Sequence, residues 1–138
     1  MATIAQKVSA LHTYHGCCKQ MRNLYCGMLN RWLKSREEII ELHAYLGYWY
    51  AGLYVVIEGW KELKLNDPEI DKLLDSRYVD LLRKFRNGMF HFQETIEKLY
   101  PMDETQGTGK WAEDLTDAFD RYFSQTHCGT KTETRPTI

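Results

Sequence analysis

Proline is scarce in this chain. Pro68, Pro101 and Pro136 are the only three in 138 residues, and each falls where an apolar-periodic segment starts or stops. Long stretches are therefore left open to helix. Sustained alternation of apolar and polar residues is also missing, which argues against half-buried strands and for an all-α fold. With no strand expected, no Gly-rich phosphate loop can follow one, and nucleotide sites of that kind drop out. Charge of one sign is lacking too. Lys and Arg number 18 against 19 Asp and Glu, a formal charge of −1, so no global basic field draws in nucleic acid or anionic membrane. Long hydrophobic runs are absent as well. The longest uncharged, mostly apolar stretch, Ala44 to Ile57, is shorter than the ~20 residues a membrane span needs and reads as a buried core helix.

Four cysteines are present, but not as a disulfide framework. Cys17 and Cys18 are adjacent, Cys26 follows later in the same periodic segment, and Cys128 lies near the tail. The start, MATIAQKVSA, has no long apolar stretch after a basic opening. Together these point to free thiols in a reducing, cytoplasmic compartment.

Apolar content of 43% and charged content of 27% are those of a globular protein, and the length suggests one domain. The expected fold is an up-and-down bundle of four to five helices over residues 1–127, with a threonine-rich tail, 128–138, that frays. A first helix is expected from Ile4 to Leu33, with a stripe that includes Val8, Leu11, His15, Cys18, Tyr25, Met28 and Trp32. A second runs from Arg36 to Leu63, opened by Ser35 and Glu38 as a capping box. Asp67 caps a short helix that has Pro68 in its first position and ends at Leu74. A fourth helix is expected from Arg77 to Leu99, a loop over DETQGTGK, and a last helix from Trp111 to Thr126 that buries Trp111, Leu115, Phe119, Tyr122 and Phe123. On the second helix, Ala44, Gly47 and Ala51 share a face. They suit either dense core packing or a self-association seam.

The fourth helix contains FRNGMFHF, Phe85 to Phe92. On a wheel of 3.6 residues per turn, Tyr78, Leu82, Phe85, Met89, Phe92, Ile96 and Leu99 form one core-facing stripe. Asp80, Asn87, His91 and Lys98 fall opposite, and Arg86 sits on the flank. Phe90 shares that flank, where a large apolar group is exposed unless another surface covers it. Gly88, mid-helix, costs ~1 kcal/mol against alanine and calls for a reason, such as close approach of a second backbone or a phosphate. Arg86 and His91 are separated by a rise of ~7.5 Å and by ~140° around the helix, a gap that a long arginine can bend across. A histidine can move a proton near neutral pH. An arginine fork holds a phosphate and stabilises charge that builds on it. An asparagine can orient the imidazole or bond a phosphate oxygen. These parts suffice for RNA cleavage without metal.

The string RNGMFH, Arg86 to His91, resembles the R-x4-6-H motif of the HEPN superfamily in its R-N-x-x-x-H form. That resemblance implies an all-α bundle with the motif on a late helix. It also implies a homodimer with the two motif helices facing each other, and in many members a metal-independent ribonuclease of toxin–antitoxin, defence or RNA-processing systems. Other members are inactive and bind nucleotides, RNA or proteins. Carried onto this chain, Arg86 is the phosphate-binding arginine, Asn87 the polar residue after it and His91 the catalytic histidine. Arg83 and Lys84, in RKFR, become an RNA-facing patch only if a dimer doubles them, and Phe90 and Gly88 are expected at the dimer interface. Partners are then RNA or a nucleotide, a second copy, and an antitoxin or other partner protein. No cofactor and no membrane is implied. One departure is Gln93, which stands where some toxin members carry a tyrosine modified by their antitoxin.

Other clusters have plainer readings. His12, His15, Cys17, Cys18 and Cys26 are metal-ligand types, but their spacing fits no zinc module, so no metal site is expected. His43 is expected to flank the buried part of the second helix, and Glu58 to pair with a lysine. Cys128 is a poor nucleophile candidate, with only His127 beside it.

Overall fold

The computed structural model describes residues 1–99 and 107–128, and every regular element among them is helical. In chain order these are α1 (Ile4–Leu29), α2 (Arg36–Glu62), α3 (Pro68–Leu74), α4 (Tyr78–Phe90), α5 (Ile96–Leu99) and α6 (Thr108–Cys128). Residues 100–106 and 129–138, which include Pro101, part of the expected loop and all of the expected tail but Cys128, lie outside the described residues. No helix among the described residues is long and apolar enough to cross a membrane.

The caps behave as their side chains dictate. The Ser35 hydroxyl accepts from the Glu38 N–H at 3.1 Å, and the Glu38 carboxylate accepts from the Ser35 N–H at 3.2 Å. This reciprocal box satisfies two of the N–H groups that a helix start leaves open. Asp67 caps α3 through the Ile70 N–H at 3.1 Å, with Pro68 first in the helix. Thr3 and Gln6 form a second capping box at α1, which sequence reading passed over. At the far end of α2, Lys64 adopts φ 55°, the Leu65 N–H bonds to the Trp60 carbonyl, and the Lys64 N–H bonds to that of Lys61. That pairing is a Schellman motif, and it turns the chain toward α3.

α2 is the shared wall of the bundle. α1 crosses it antiparallel, with Leu11 opposite Gly59 and Cys18 opposite Gly52. α4 covers another face, also antiparallel, with Met89 opposite Gly47 and Phe85 edge-to-face on Tyr50 at 5.0 Å. A Cβ at Gly47 would collide with the Met89 sulfur, so the close approach that Gly47 permits is internal core packing. α6 closes the bundle with Trp111, Leu115, Phe119 and Phe123 buried and Tyr122 edge-on to Trp60 at 4.8 Å.

Three helices depart clearly from their expected bounds. α1 stops at Leu29 and not Leu33, since residues 30–35 make the reversal into antiparallel α2; Trp32 leaves the expected stripe and is 84% exposed. α6 runs from Thr108 to Cys128, so Thr108, Gly109 and Lys110 are helix and not loop, and the backbone of Cys128, expected in the tail, is the last of the helix. The largest change is in the fourth helix, which ends at Phe90 with His91 in extended geometry, φ −134° and ψ 130°. Asn87, Gly88, Phe90, His91 and Phe92 are weak helix formers, and the Thr95 hydroxyl accepts from the Lys98 N–H at 3.3 Å to start the fresh turn α5. The wheel therefore fails beyond Phe90. Phe92 is 93% exposed and Ile96 65% exposed, not part of a core stripe.

α1 meets α6 along a polar seam. Lys19 reaches Asp120 at 2.9 Å, and Arg22 reaches both Glu113 and Asp117 at 3.1 Å. His12 stacks on Phe123 with centroids 4.9 Å apart, and His15 is buried between Phe119 and Phe123. The His15 Nε2 lies 3.4 Å from an Asp120 oxygen, close enough for charge attraction, yet neither ring nitrogen has an aligned hydrogen bond. Burial lowers the imidazole pKa below its ordinary 6.5, and Asp120 opposes this only in part.

Two predictions follow from this packing. Phe85→Ala should cost ~3–5 kcal/mol of unfolding free energy in urea titrations, whereas Phe92→Ala should stay within about 0.5 kcal/mol of the parent. Equal costs would restore Phe92 to the core. The unfolded chain protonates His15 near pH 6.5 and the folded chain only at lower pH. Stability from neutral His15 is thus complete above pH 6.5, falls as pH drops below it, and levels off once the folded imidazole also takes a proton, at no more than ~1.4 kcal/mol per pH unit. Urea titrations between pH 7.5 and 5 should show this slope, and His15→Gln should flatten it.

Candidate functional site at the end of α4

The motif residues are distributed by the antiparallel packing of α4 on α2. Arg86 projects toward α2 one turn beyond the Tyr50–Phe85 contact. Its Nη1 donates to Glu58 Oε1 at 2.9 Å, and its guanidinium carbon lies 4.7 Å from the centroid of the Tyr54 ring. Tyr54 and Glu58 are one turn apart on α2 and so present a ring and a carboxylate on the same side. Glu58 therefore pairs with Arg86 and not with a lysine. Arg86 Nη2 also donates to Asn87 Oδ1 at 3.4 Å, which keeps the two adjacent motif residues in contact.

His91 lies just past the helix. Its N–H still closes the last turn on the Asn87 carbonyl at 3.0 Å, but its side chain has left the helical register and is exposed. The Gln93 amide donates to the His91 carbonyl at 2.9 Å and steadies the extended segment. His91 borders a groove of about 590 Å³ together with Ile40, His43, Ala44, Phe90 and Phe92. From Ala44 to Tyr54, α2 rises ~15 Å. Within the chain, then, Arg86 and His91 face different stretches of α2: a carboxylate and a ring in one case, an open apolar groove in the other.

The remaining expected residues separate in a similar way. Gly88 is in the last turn of α4, not mid-helix, and it is buried, lining the floor of the His91 groove. Phe90 is 56% exposed, edge-on to Tyr48 at 5.8 Å, and it also borders a second apolar hollow of about 440 Å³ between α1 and α2. Arg83 folds back on Asp80, with N–O distances of 2.9 and 2.6 Å, so its charge is compensated one turn away. Lys84 is exposed beside Arg77 and Asp80. Two of the three RKFR cations, Arg83 and Arg86, thus each face a carboxylate.

Sequence reading missed three residues here. Tyr54 and Glu58 were legible as an i, i+4 pair, but nothing local says that α4 delivers an arginine to them. His43 shares the His91 groove because α2 and α4 cross where they do. The metal-ligand types are scattered. Cys18 is buried with its thiol pushed up to about 12 by burial and donates to the Trp49 carbonyl at 3.5 Å. Cys17 is exposed, and Cys26 lies 3.6 Å from a Glu113 oxygen. No group of three or more His, Cys, Asp or Glu side chains gathers to hold a metal ion among the described residues.

In comparisons with known proteins, no family model, no curated protein and no solved structure matches this chain.

Proposed function

We propose that this chain is a HEPN-like helical protein that acts as a homodimer and cleaves RNA without a metal ion, using Arg86, Asn87 and His91. The observation that carries this reading is the end of α4. The R-N-x-x-x-H string closes the helix, Arg86 and Asn87 touch, and His91 is released beside an exposed wall of Phe90, Phe92 and Ile96. An imidazole there is open to substrate, and the apolar wall is more than an isolated surface hydrophobe. Two-fold pairing through that wall would bring two α4 ends together. Arg86 of one copy and His91 of the other could then meet one phosphodiester, which the two residues of one copy do not do on their own.

In the reaction, His91 takes the proton of a ribose 2′-hydroxyl. The oxygen attacks the adjacent phosphorus, the bond to the 5′-oxygen breaks, and that oxygen takes a proton from water while His91 returns to solvent the proton it accepted. The products are a 2′,3′-cyclic phosphate and a 5′-hydroxyl. Arg86 neutralises charge on the crowded phosphoryl group. Apolar and aromatic groove walls suit bases splayed from a single strand better than a duplex.

The Arg86–Glu58 ion pair favours a second reading, a non-catalytic module that binds RNA, a nucleotide or a partner protein through the same surface. Cleavage of a labelled single-stranded RNA in EDTA separates the two. His91→Ala should lower the rate by about 10²-fold or more, the usual span of a lost general base. Equal rates in the variant and the parent would remove the catalytic role. Light scattering should give twice the 16.3 kDa chain mass, and Phe92→Asp should return it to one.

A further inference from the structure

We infer that Glu58 is a positioning residue that occupies the phosphate-binding face of Arg86, so that an RNA phosphate must displace a resident carboxylate before the guanidinium can act. This inference rests on the reading of Arg86 as the phosphate-binding group.

The geometry supports it in three ways. Glu58 Oε1 sits 2.9 Å from Nη1, where a phosphate oxygen would otherwise be bound. Tyr54 covers one face of the same guanidinium at 4.7 Å, so the group has little freedom to swing toward His91 while Glu58 holds its edge. Asn87 Oδ1 engages the other terminal nitrogen at 3.4 Å, a long contact that a bidentate phosphate would replace. Carboxylate and phosphate oxygens compete for the same N–H donors; here the carboxylate engages one terminal nitrogen, whereas a bidentate phosphate would engage two.

The magnitude is bounded by exposure. Side chains of Arg86 and Glu58 are 31% and 46% exposed, so the pair is solvent-screened and contacts through one nitrogen. Pairs of that kind are weak enough for an anion to displace. Removing the carboxylate charge should therefore tighten phosphate binding about two- to fivefold, not by orders of magnitude. The arrangement would disfavour stray anions and favour a ligand that brings several contacts at once, as a strand in a completed dimer groove does.

The test uses the full chain, with Glu58→Gln, Arg86→Ala and the double variant. The first arm follows the Arg86 Nε–Hε NMR signal during titration with inorganic phosphate. Glu58→Gln should respond at a two- to fivefold lower concentration than the parent. Equal or higher concentrations would overturn the proposal. The second arm measures affinity for fluorescein-labelled oligouridylate in EDTA. Glu58→Gln should bind two- to fivefold tighter, and the gain should vanish in the Arg86→Ala background. A gain that persists there is a general charge effect and also overturns it. Should the phosphate arm behave as expected while no variant binds the oligonucleotide, the competition at Arg86 stands and the RNA reading fails. Unchanged thermal midpoints show that each variant is folded.

Discussion

Burying an indole obliges its N–H to find an acceptor, and that requirement organises this bundle. Trp49 and Trp60 of α2 are each about 1% exposed. Trp49 donates to the Thr116 hydroxyl at 3.1 Å, and that hydroxyl in turn donates to the Ala112 carbonyl at 2.7 Å. Trp60 donates to Asp71 at 3.1 Å, and Trp111 of α6 to the Leu73 carbonyl at 2.9 Å. Unpaired, each would carry a desolvation cost of ~1–3 kcal/mol. Paired, they fix the register of α2 against α6 and of α3 against both, since an indole donates in one direction only. Apolar burial drives the helices together, and these three bonds select one arrangement.

The candidate site depends on that scaffold without being part of it. α4 lies on the face of α2 that α6 leaves open, and its register there is set by Met89 over Gly47 and Phe85 against Tyr50. That register takes Arg86 to Tyr54 and Glu58, and it carries the helix end past the last good packing partner. Beyond Phe90 the chain has lost its core contacts and is built from weak helix formers, so it extends. His91, Phe92 and Ile96 are exposed for this reason. The same break that spoils a continuous apolar stripe makes the open groove.

Much of the fold was legible in particular residues. Ser35 with Glu38, and Asp67 with Pro68, marked helix starts within a residue, because a cap acts through its own backbone. The α6 stripe of Trp111, Leu115, Phe119, Tyr122 and Phe123 was legible because the helix keeps its period throughout. The stripe through Phe92 and Ile96 misled, because periodicity describes a helix only while the helix lasts. Asn87, Gly88 and the aromatic pair around His91 carried the warning, but their weak propensities compete with packing that only the folded chain reveals. At the site, the string from Arg86 to His91 was visible, and the neighbours Tyr54, Glu58 and His43 were not.

Local chemistry in the sequence was enough to determine an all-helical chain, most helix starts, the buried face of α6 and the polar residues clustered at the end of α4. Those properties depend on a residue and its neighbours within a turn or two. Tertiary structure alone decided that Arg86 meets Glu58 and Tyr54, that His91 opens onto a groove shared with His43, and that His15 is buried against Phe119 and Phe123. Each of these joins side chains many residues apart in the chain. Their meeting depends on the crossing and register of packed helices, and a single sequence does not print that information at any one position.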